Sequence, residues 1–188
     1  MSIPVKTKKK KIRKQMLRQR SLLSPAAKAI YDQNVCEALW HLMEQKRCQT
    51  VHTYLPMGSE INIFPFIKQC LAHQKTVICP QTLPKRRFIN LILTSLQDLE
   101  PGVFGTKHPA GKSIFEGTYD MIVVPGLACD GDRCRLGYGG GYYDTFVADC
   151  PKAHKVGVFY PFQQIDKIPL EPHDMQLNDL LVCQAWMD

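Results

Sequence analysis

No stretch of this sequence approaches the roughly 18 consecutive apolar residues that a membrane-spanning helix requires, so no span is expected. The opening, MSIPVKTKKKKIRKQMLRQR, is basic but is not followed by the ~7–15-residue apolar core and small-residue cleavage site of a secretory signal. The expected location is therefore the cytoplasm. Eight cysteines (Cys36, Cys48, Cys70, Cys79, Cys129, Cys134, Cys150, Cys183) include no C-x-x-C pair, which argues against a zinc ribbon or a thioredoxin-type site. Most of them read as reduced, small core residues. A Walker A loop, G-x-x-x-x-G-K-[ST], is also absent, and no Ser-His-Asp or Cys-His arrangement stands out.

What is present is a chain of 188 residues, 45% hydrophobic and 22% charged, a balance that suits one well-buried domain spanning 1–188. The net charge of +7 is concentrated, with nine of the 24 Lys and Arg residues lying before position 21. Such a run suits nucleic acid, an acidic surface, a phosphorylated small molecule or simply a solvated helix end. It carries no aromatic residue before Tyr31, whereas nucleic-acid readers usually add stacking rings to a basic stripe. Small-molecule substrates are the expected partners, with no nucleic acid, no membrane and a monomeric state.

Ser24-Pro25 predicts a helix with Ser24 at N-cap and Pro25 in its first turn, and Ile30, Val35, Leu39 and Leu42 supply its apolar face. Before it, Ile12, Met16 and Leu17 mark a stripe on a first helix from about Lys8 to Leu22, with Lys9 and Arg13 sharing another face. Further on, β-rich runs (TVHTYLP, KTVICP, FINLILT, YDMIVVPG, HKVGVFY, LNDLLVC) are interleaved with helical stretches. This alternation predicts an α/β fold, a single-domain three-layer sandwich whose mostly parallel sheet is covered by helices on both faces. Ligands of such sheets sit beyond the carboxyl ends of the strands.

The segment RLGYGGGYYD, Arg135 to Asp144, occupies such a position, between a predicted strand and a helix starting near Tyr142. Its glycines let backbone N–H groups approach an anion closely. The dinucleotide pattern G-x-G-x-x-G fails because Tyr142 stands where the last glycine is needed. Arg135 can offer a planar guanidinium to phosphate and Asp144 can hold a hard cation, a combination that points to magnesium nucleotide chemistry. One of Tyr142 and Tyr143 is expected in the core, leaving the other for stacking or hydrogen bonding to a ligand.

With VPGLACD before it, RLGYGGGYYD resembles the corresponding segment of the 5-formyltetrahydrofolate cyclo-ligase family. KKKIR, TYLPMGSEIN and LEPHDMQLNDLLV resemble three further motifs of that family, in the same order. The resemblance implies a compact α/β enzyme that converts 5-formyltetrahydrofolate, ATP and magnesium into 5,10-methenyltetrahydrofolate, ADP and phosphate. It implies ATP contacts at Lys9, Lys10, Lys11, Ile12 and Arg13, and along Arg135, Leu136, Gly137, Tyr138, Gly139, Gly140, Gly141, Tyr142 and Tyr143. Folate contacts fall on Leu55 and Glu60 and on Tyr138, Gly139, Gly140, Gly141 and Tyr142. Arg135, Tyr142 and Arg13 take catalytic roles, and Asp144 and Asp174 match magnesium ligands.

Three positions depart from the family's pattern. Arg133 stands where a glycine is usual, with Gly131 a candidate to supply the bend; Cys129 stands where phenylalanine is common, and Thr145 where arginine is common. Read without the resemblance, Glu60 is an exposed loop carboxylate, Asp174 caps a turn, and His173 is a surface histidine. Lys8, Lys10 and Lys11 read as a solvated basic face. The alternatives to this enzyme are a nucleic-acid-binding module, another ATP-dependent enzyme, or a silent relative that binds folate.

Overall fold

The structure, a computed structural model, describes residues 4–172 and 174–182, so His173 and Cys183 lie outside it. Helix α1 (Val5–Ser21) starts three residues before the predicted boundary. Helix α2 (Pro25–Gln45) begins where its sequence says it should: the Ser24 side chain accepts a hydrogen bond from Ala27 N at 3.2 Å and Pro25 fills the first turn. Its buried face is Val35, Cys36, Leu39 and Met43, with Leu42 packed at the margin. Ile30 is exposed instead, because the inner position near that end belongs to Asp32. This buried carboxylate accepts from Lys28 Nζ (2.6 Å) and from Asn62 N (2.9 Å), pinning α2 to the segment that leads into α3 (Phe64–Ala72).

Among the described residues there are ten strands, in chain order β1 (Thr50–His52), β2 (Thr76–Leu83), β3 (Arg87–Leu93), β4 (Leu99–Pro101), β5 (Lys107–Pro109), β6 (Met121–Pro125), β7 (Ala128–Cys129), β8 (Arg135–Leu136), β9 (His154–Phe159) and β10 (Asp179–Val182). Six form the central sheet in the order β10-β9-β6-β1-β2-β3. All its pairings are parallel except β2 with β3. Pro80 is tolerated in β2 because the parallel pairing with β1 ends at Ile78, leaving no partner for an N–H there.

Period-2 alternation divides β6 between two cores: Met121 and Val123 face α2 and α3, while Ile122 and Val124 face the opposite layer. That layer contains helix α4 (Tyr142–Ala148), which contributes Val147, together with Phe146, Ala153 and Leu177. Helix α1 belongs to neither layer. Its Met16 joins Leu127, Ala128, Cys134, Leu136 and Ile168 over the small hairpin β7-β8, at the carboxyl end of β6. Ile12 lies at the edge of that cluster, whereas Leu17 is 41% exposed and outside the expected stripe.

The polar stretch after β3 holds the short hairpin β4-β5. Among the described residues no helix is long and apolar enough to cross a membrane.

Candidate active site

A cavity of about 930 Å³ opens between α1, the glycine loop and the ends of β2 and β6. It brings together Lys9, Lys10, Arg13, Leu55, Glu60, the whole segment Arg135 to Asp144, and Asp174, residues drawn from all four sequence motifs. Lys11 and Ile12 are not on its wall: Lys11 is exposed and Ile12 packs into the α1 core. The split follows from helical geometry, since five successive residues cannot share one face.

The inner face of α1 is a charged stripe. Lys9, Met16 and Arg20 are buried and Arg13 is half-buried, at the 4-3-4 spacing that aligns residues along one side of a helix. Lys9 Nζ donates to Glu171 Oε2 at 2.9 Å and to Asp174 Oδ2 at 2.5 Å. Burial acts to lower the Lys9 pKa, but the hydrogen bonds and charges of Asp174 and Glu171 outweigh it and the pKa is raised. Arg13 Nε donates to Gly137 O at 2.8 Å, tying α1 to the glycine loop. Burial lowers the Arg13 pKa, against the nearby charges of Asp174, Glu171 and Asp144.

In the glycine loop, Gly139 (φ 101°) and Gly141 (φ 72°) adopt left-handed backbone. A Cβ on Gly139 would sit 3.1 Å from Arg13 Cζ, so the close approach of that guanidinium depends on the bare backbone. Arg135 is buried and donates from Nη1 to Pro125 O (3.1 Å) and from Nη2 to Asp144 Oδ1 (2.8 Å). Tyr142 stacks on Phe88 with ring centroids 5.4 Å apart, and its hydroxyl donates to Leu83 O. Tyr143 takes the core role; its buried hydroxyl has no hydrogen-bond partner among the described residues, and burial raises its pKa well above the usual phenol value.

The turn before the loop is organised by Asp130, whose oxygens accept from Asp132 N, Cys134 N and Ile168 N at 2.9–3.1 Å. The left-handed residue of this turn is Arg133 (φ 62°), so the bend is not supplied by Gly131. Its Nη1 donates to Asn178 O, which anchors the side chain that replaces the usual glycine. Cys129 is fully buried and Thr145 is exposed away from the cavity wall.

Glu60 is 7% exposed, not the open loop carboxylate that its local sequence describes. Its Oε2 accepts from Met57 N at 3.0 Å. Burial raises its pKa, opposed by that hydrogen bond, by the Arg20 charge and by the Tyr138 hydroxyl. Wall residues not foreseen include Glu171, Phe88 and the rim residues Arg86 and Phe104, and Arg20 lies behind the wall. The α1 spacing was the available signal for Arg20, while Phe104, 79% exposed, comes from the hairpin between β4 and β5.

Asp144 and Asp174 offer hard oxygen donors on the cavity wall beside Arg13. One oxygen of each is engaged by a cation, Arg135 or Lys9, and among the described residues the other oxygen of each has no hydrogen-bond donor and could reach a metal. Among the described residues no cluster of three or more His, Cys, Asp or Glu is assembled for an ion. Magnesium commonly binds through one or two carboxylates with substrate phosphates completing its shell, so this donor set fits an ion that arrives with a nucleotide.

The model of the 5-formyltetrahydrofolate cyclo-ligase family matches residues 5–183. The chain belongs to that family. This family member is a ligase of folate one-carbon metabolism by kinship. It is 27% identical over 182 residues to the 5-formyltetrahydrofolate cyclo-ligase of Haemophilus influenzae, covering 93% of this chain and 97% of the relative. Its fold is similar to that of a 5,10-methenyltetrahydrofolate synthetase from Aquifex aeolicus, with a TM-score of 0.80 and 30% identity over 93% of this chain and 89% of the other. A 5,10-methenyltetrahydrofolate synthetase from Mycoplasma pneumoniae gives a TM-score of 0.75 at 26% identity, covering 92% and 96%.

Proposed function

We propose that this chain catalyses the ATP- and magnesium-dependent conversion of 5-formyltetrahydrofolate to 5,10-methenyltetrahydrofolate, with release of ADP and phosphate. The observation that supports this reading best is one cavity uniting a glycine loop, a cationic helix face, two hard carboxylates and a buried glutamate. The formyl group is amide-like, so its oxygen must be made a leaving group before the ring can close. In the proposed sequence the formyl oxygen takes the γ-phosphoryl group and ADP leaves. The 10-nitrogen then adds to the activated carbon and gives up its proton, and phosphate departs with the electrons of the C–O bond.

Such a reaction asks the protein for positioning and charge neutralisation rather than a covalent nucleophile. Lys9 and Arg13, with the backbone N–H groups from Gly137 to Gly141, bind the phosphates. Arg135 holds Asp144 in place and adds positive charge beneath the loop. Tyr142, braced by Phe88 and Leu83, orients the substrate against the loop, and Leu55 and Glu60 receive the folate ring. Magnesium held through Asp144 and Asp174 would supply further neutralisation of the phosphate charge. To engage phosphate, Lys9 must loosen its hold on the carboxylates of Glu171 and Asp174.

The test is the absorbance of the methenyl chromophore when purified protein is mixed with 5-formyltetrahydrofolate. A rise that needs both ATP and magnesium supports the proposal. Folded protein that binds ATP and produces no rise overturns it.

A further inference from the structure

We infer that Arg20 is a positioning residue for folate recognition, fixing Tyr138 of the glycine loop and the Glu60 segment in one geometry from behind the cavity wall. The inference rests on the cyclo-ligase reading of this cavity and adds a residue that none of the matched motifs includes.

Arg20 is 4% exposed and does not line the cavity. Its Nε donates to Ser59 O at 2.9 Å, the residue directly before Glu60, and its Nη1 donates to Tyr138 Oη at 2.9 Å. The guanidinium carbon also lies 5.9 Å from the centroid of the Tyr138 ring, within cation–π range. One planar cation thus clamps two wall elements that are 79 residues apart in sequence.

The direction of the hydrogen bonds gives the clamp a chemical consequence. A guanidinium has only donors, so Tyr138 Oη is the acceptor and its own proton must point elsewhere. The Glu60 carboxylate is the neighbouring acceptor for it, and the Tyr138 hydroxyl acts to lower the Glu60 pKa. Burial and the Glu60 charge push the Tyr138 phenol up to about 12, so it keeps the proton it donates. Arg20 thereby sets the rotor of Tyr138, and Tyr138 together with Met57 N sets the carboxylate. The carboxylate capacity left over is presented to a donor-bearing ring in the cavity.

A purely structural role would not call for this residue. Arg20 Nη2 is buried with no hydrogen-bond partner among the described residues, an unfavourable state for a charged group that a methionine of similar length would avoid. Arg20 also lies seven residues beyond Arg13, about 10 Å along the helix axis, and it reaches Tyr138 through the side-chain hydroxyl rather than through the backbone N–H assigned to phosphate. Its loss should therefore affect one substrate and spare the other.

The experiment compares Arg20→Met and Arg20→Lys with the unaltered chain, measuring KM separately for 5-formyltetrahydrofolate and ATP. It adds the pH profile of kcat/KM and a 13C titration of the Glu60 carboxyl. The groups facing Glu60 are Arg20 and the phenols of Tyr138, Tyr54, Tyr143 and Tyr160, so Arg20 is the cation among these neighbours. Arg20→Met is expected to raise the folate KM about tenfold, leave the ATP KM within about twofold, and move both the acid limb and the Glu60 titration to higher pH. Arg20→Lys should return the titration towards its original position without recovering the folate KM, because an ammonium lacks the fixed fork.

An unchanged folate KM, or equal losses for both substrates with a lower melting temperature, would overturn the inference. An unaltered chain that forms no methenyl product would overturn the cyclo-ligase reading itself. In that event an unmoved Glu60 titration in Arg20→Met would still remove the coupling between Arg20 and Glu60.

Discussion

Asp130 and Glu60 are both buried carboxylates near the glycine loop, and the protein treats them differently. Asp130 lies beneath the turn into the loop, where three backbone N–H groups saturate its two oxygens. Glu60 lies in the cavity wall, with one backbone N–H and a phenol as its neutral donors and Arg20 as a nearby cation. A carboxylate saturated by backbone fixes the shape of a turn. One with accepting capacity left, at a cavity wall, is equipped to receive a ligand.

Replacing Asp130 should have the largest effect on stability. Asp130→Ala leaves three backbone donors, two of them in buried bonds, without their acceptor, a loss of about 3–5 kcal/mol, or roughly 10 °C in melting temperature for a chain of this size. A drop under about 3 °C would mean that the turn holds without its carboxylate. Glu60→Gln should invert that pattern. It keeps an acceptor for Met57 N, so stability should stay within about 1 kcal/mol, while kcat/KM for 5-formyltetrahydrofolate falls about 100-fold. Near-normal turnover would remove Glu60 from the folate site.

The pH dependence of stability sharpens the contrast further. Because burial raises the folded-state pKa of Glu60, the native protein holds this proton more tightly than the unfolded chain does. Its contribution is therefore most favourable at low pH and declines as pH rises from the unfolded value, about 4.5, through the raised folded value. Denaturant midpoints should lose this component of the decline in Glu60→Gln, by about 1 kcal/mol or less. An identical pH profile in both proteins would contradict the burial effect. The smallest effect belongs to Arg133→Gly, which relieves left-handed strain but gives up the bond to Asn178 O and gains chain entropy in the unfolded state. A net gain of about 0.5 kcal/mol is expected, read as a melting temperature 1–2 °C higher.

The elements that sequence made readable were those with a local cause. Ser24-Pro25 announced α2, and the apolar strand before RLGYGGGYYD placed the loop at the carboxyl end of β6. The reversal of β3 was hidden because its turn puts Lys85 (φ 61°) and Arg86 (φ 58°) in left-handed backbone, without the glycine or asparagine that usually marks a hairpin. Arg20 was hidden differently. An arginine in a basic helix reads as solvated, and what makes this one interior is Ser59 and Tyr138, contacts that no local pattern encodes. The burial of Glu60 likewise depends on distant chain, including Arg20 and Tyr138.

The charged inner stripe of α1 also bears on the order in which the molecule assembles. Arg20 reaches Ser59, 39 residues away, but the partners of Arg13 and Lys9 lie 124 to 165 residues further along the chain. Closing contacts of such long range costs entropy until the intervening chain is in place. Helix α1 therefore waits for the glycine loop and the segment around Glu171 before its stripe is neutralised. Docking of α1 onto those two segments then completes the cavity wall.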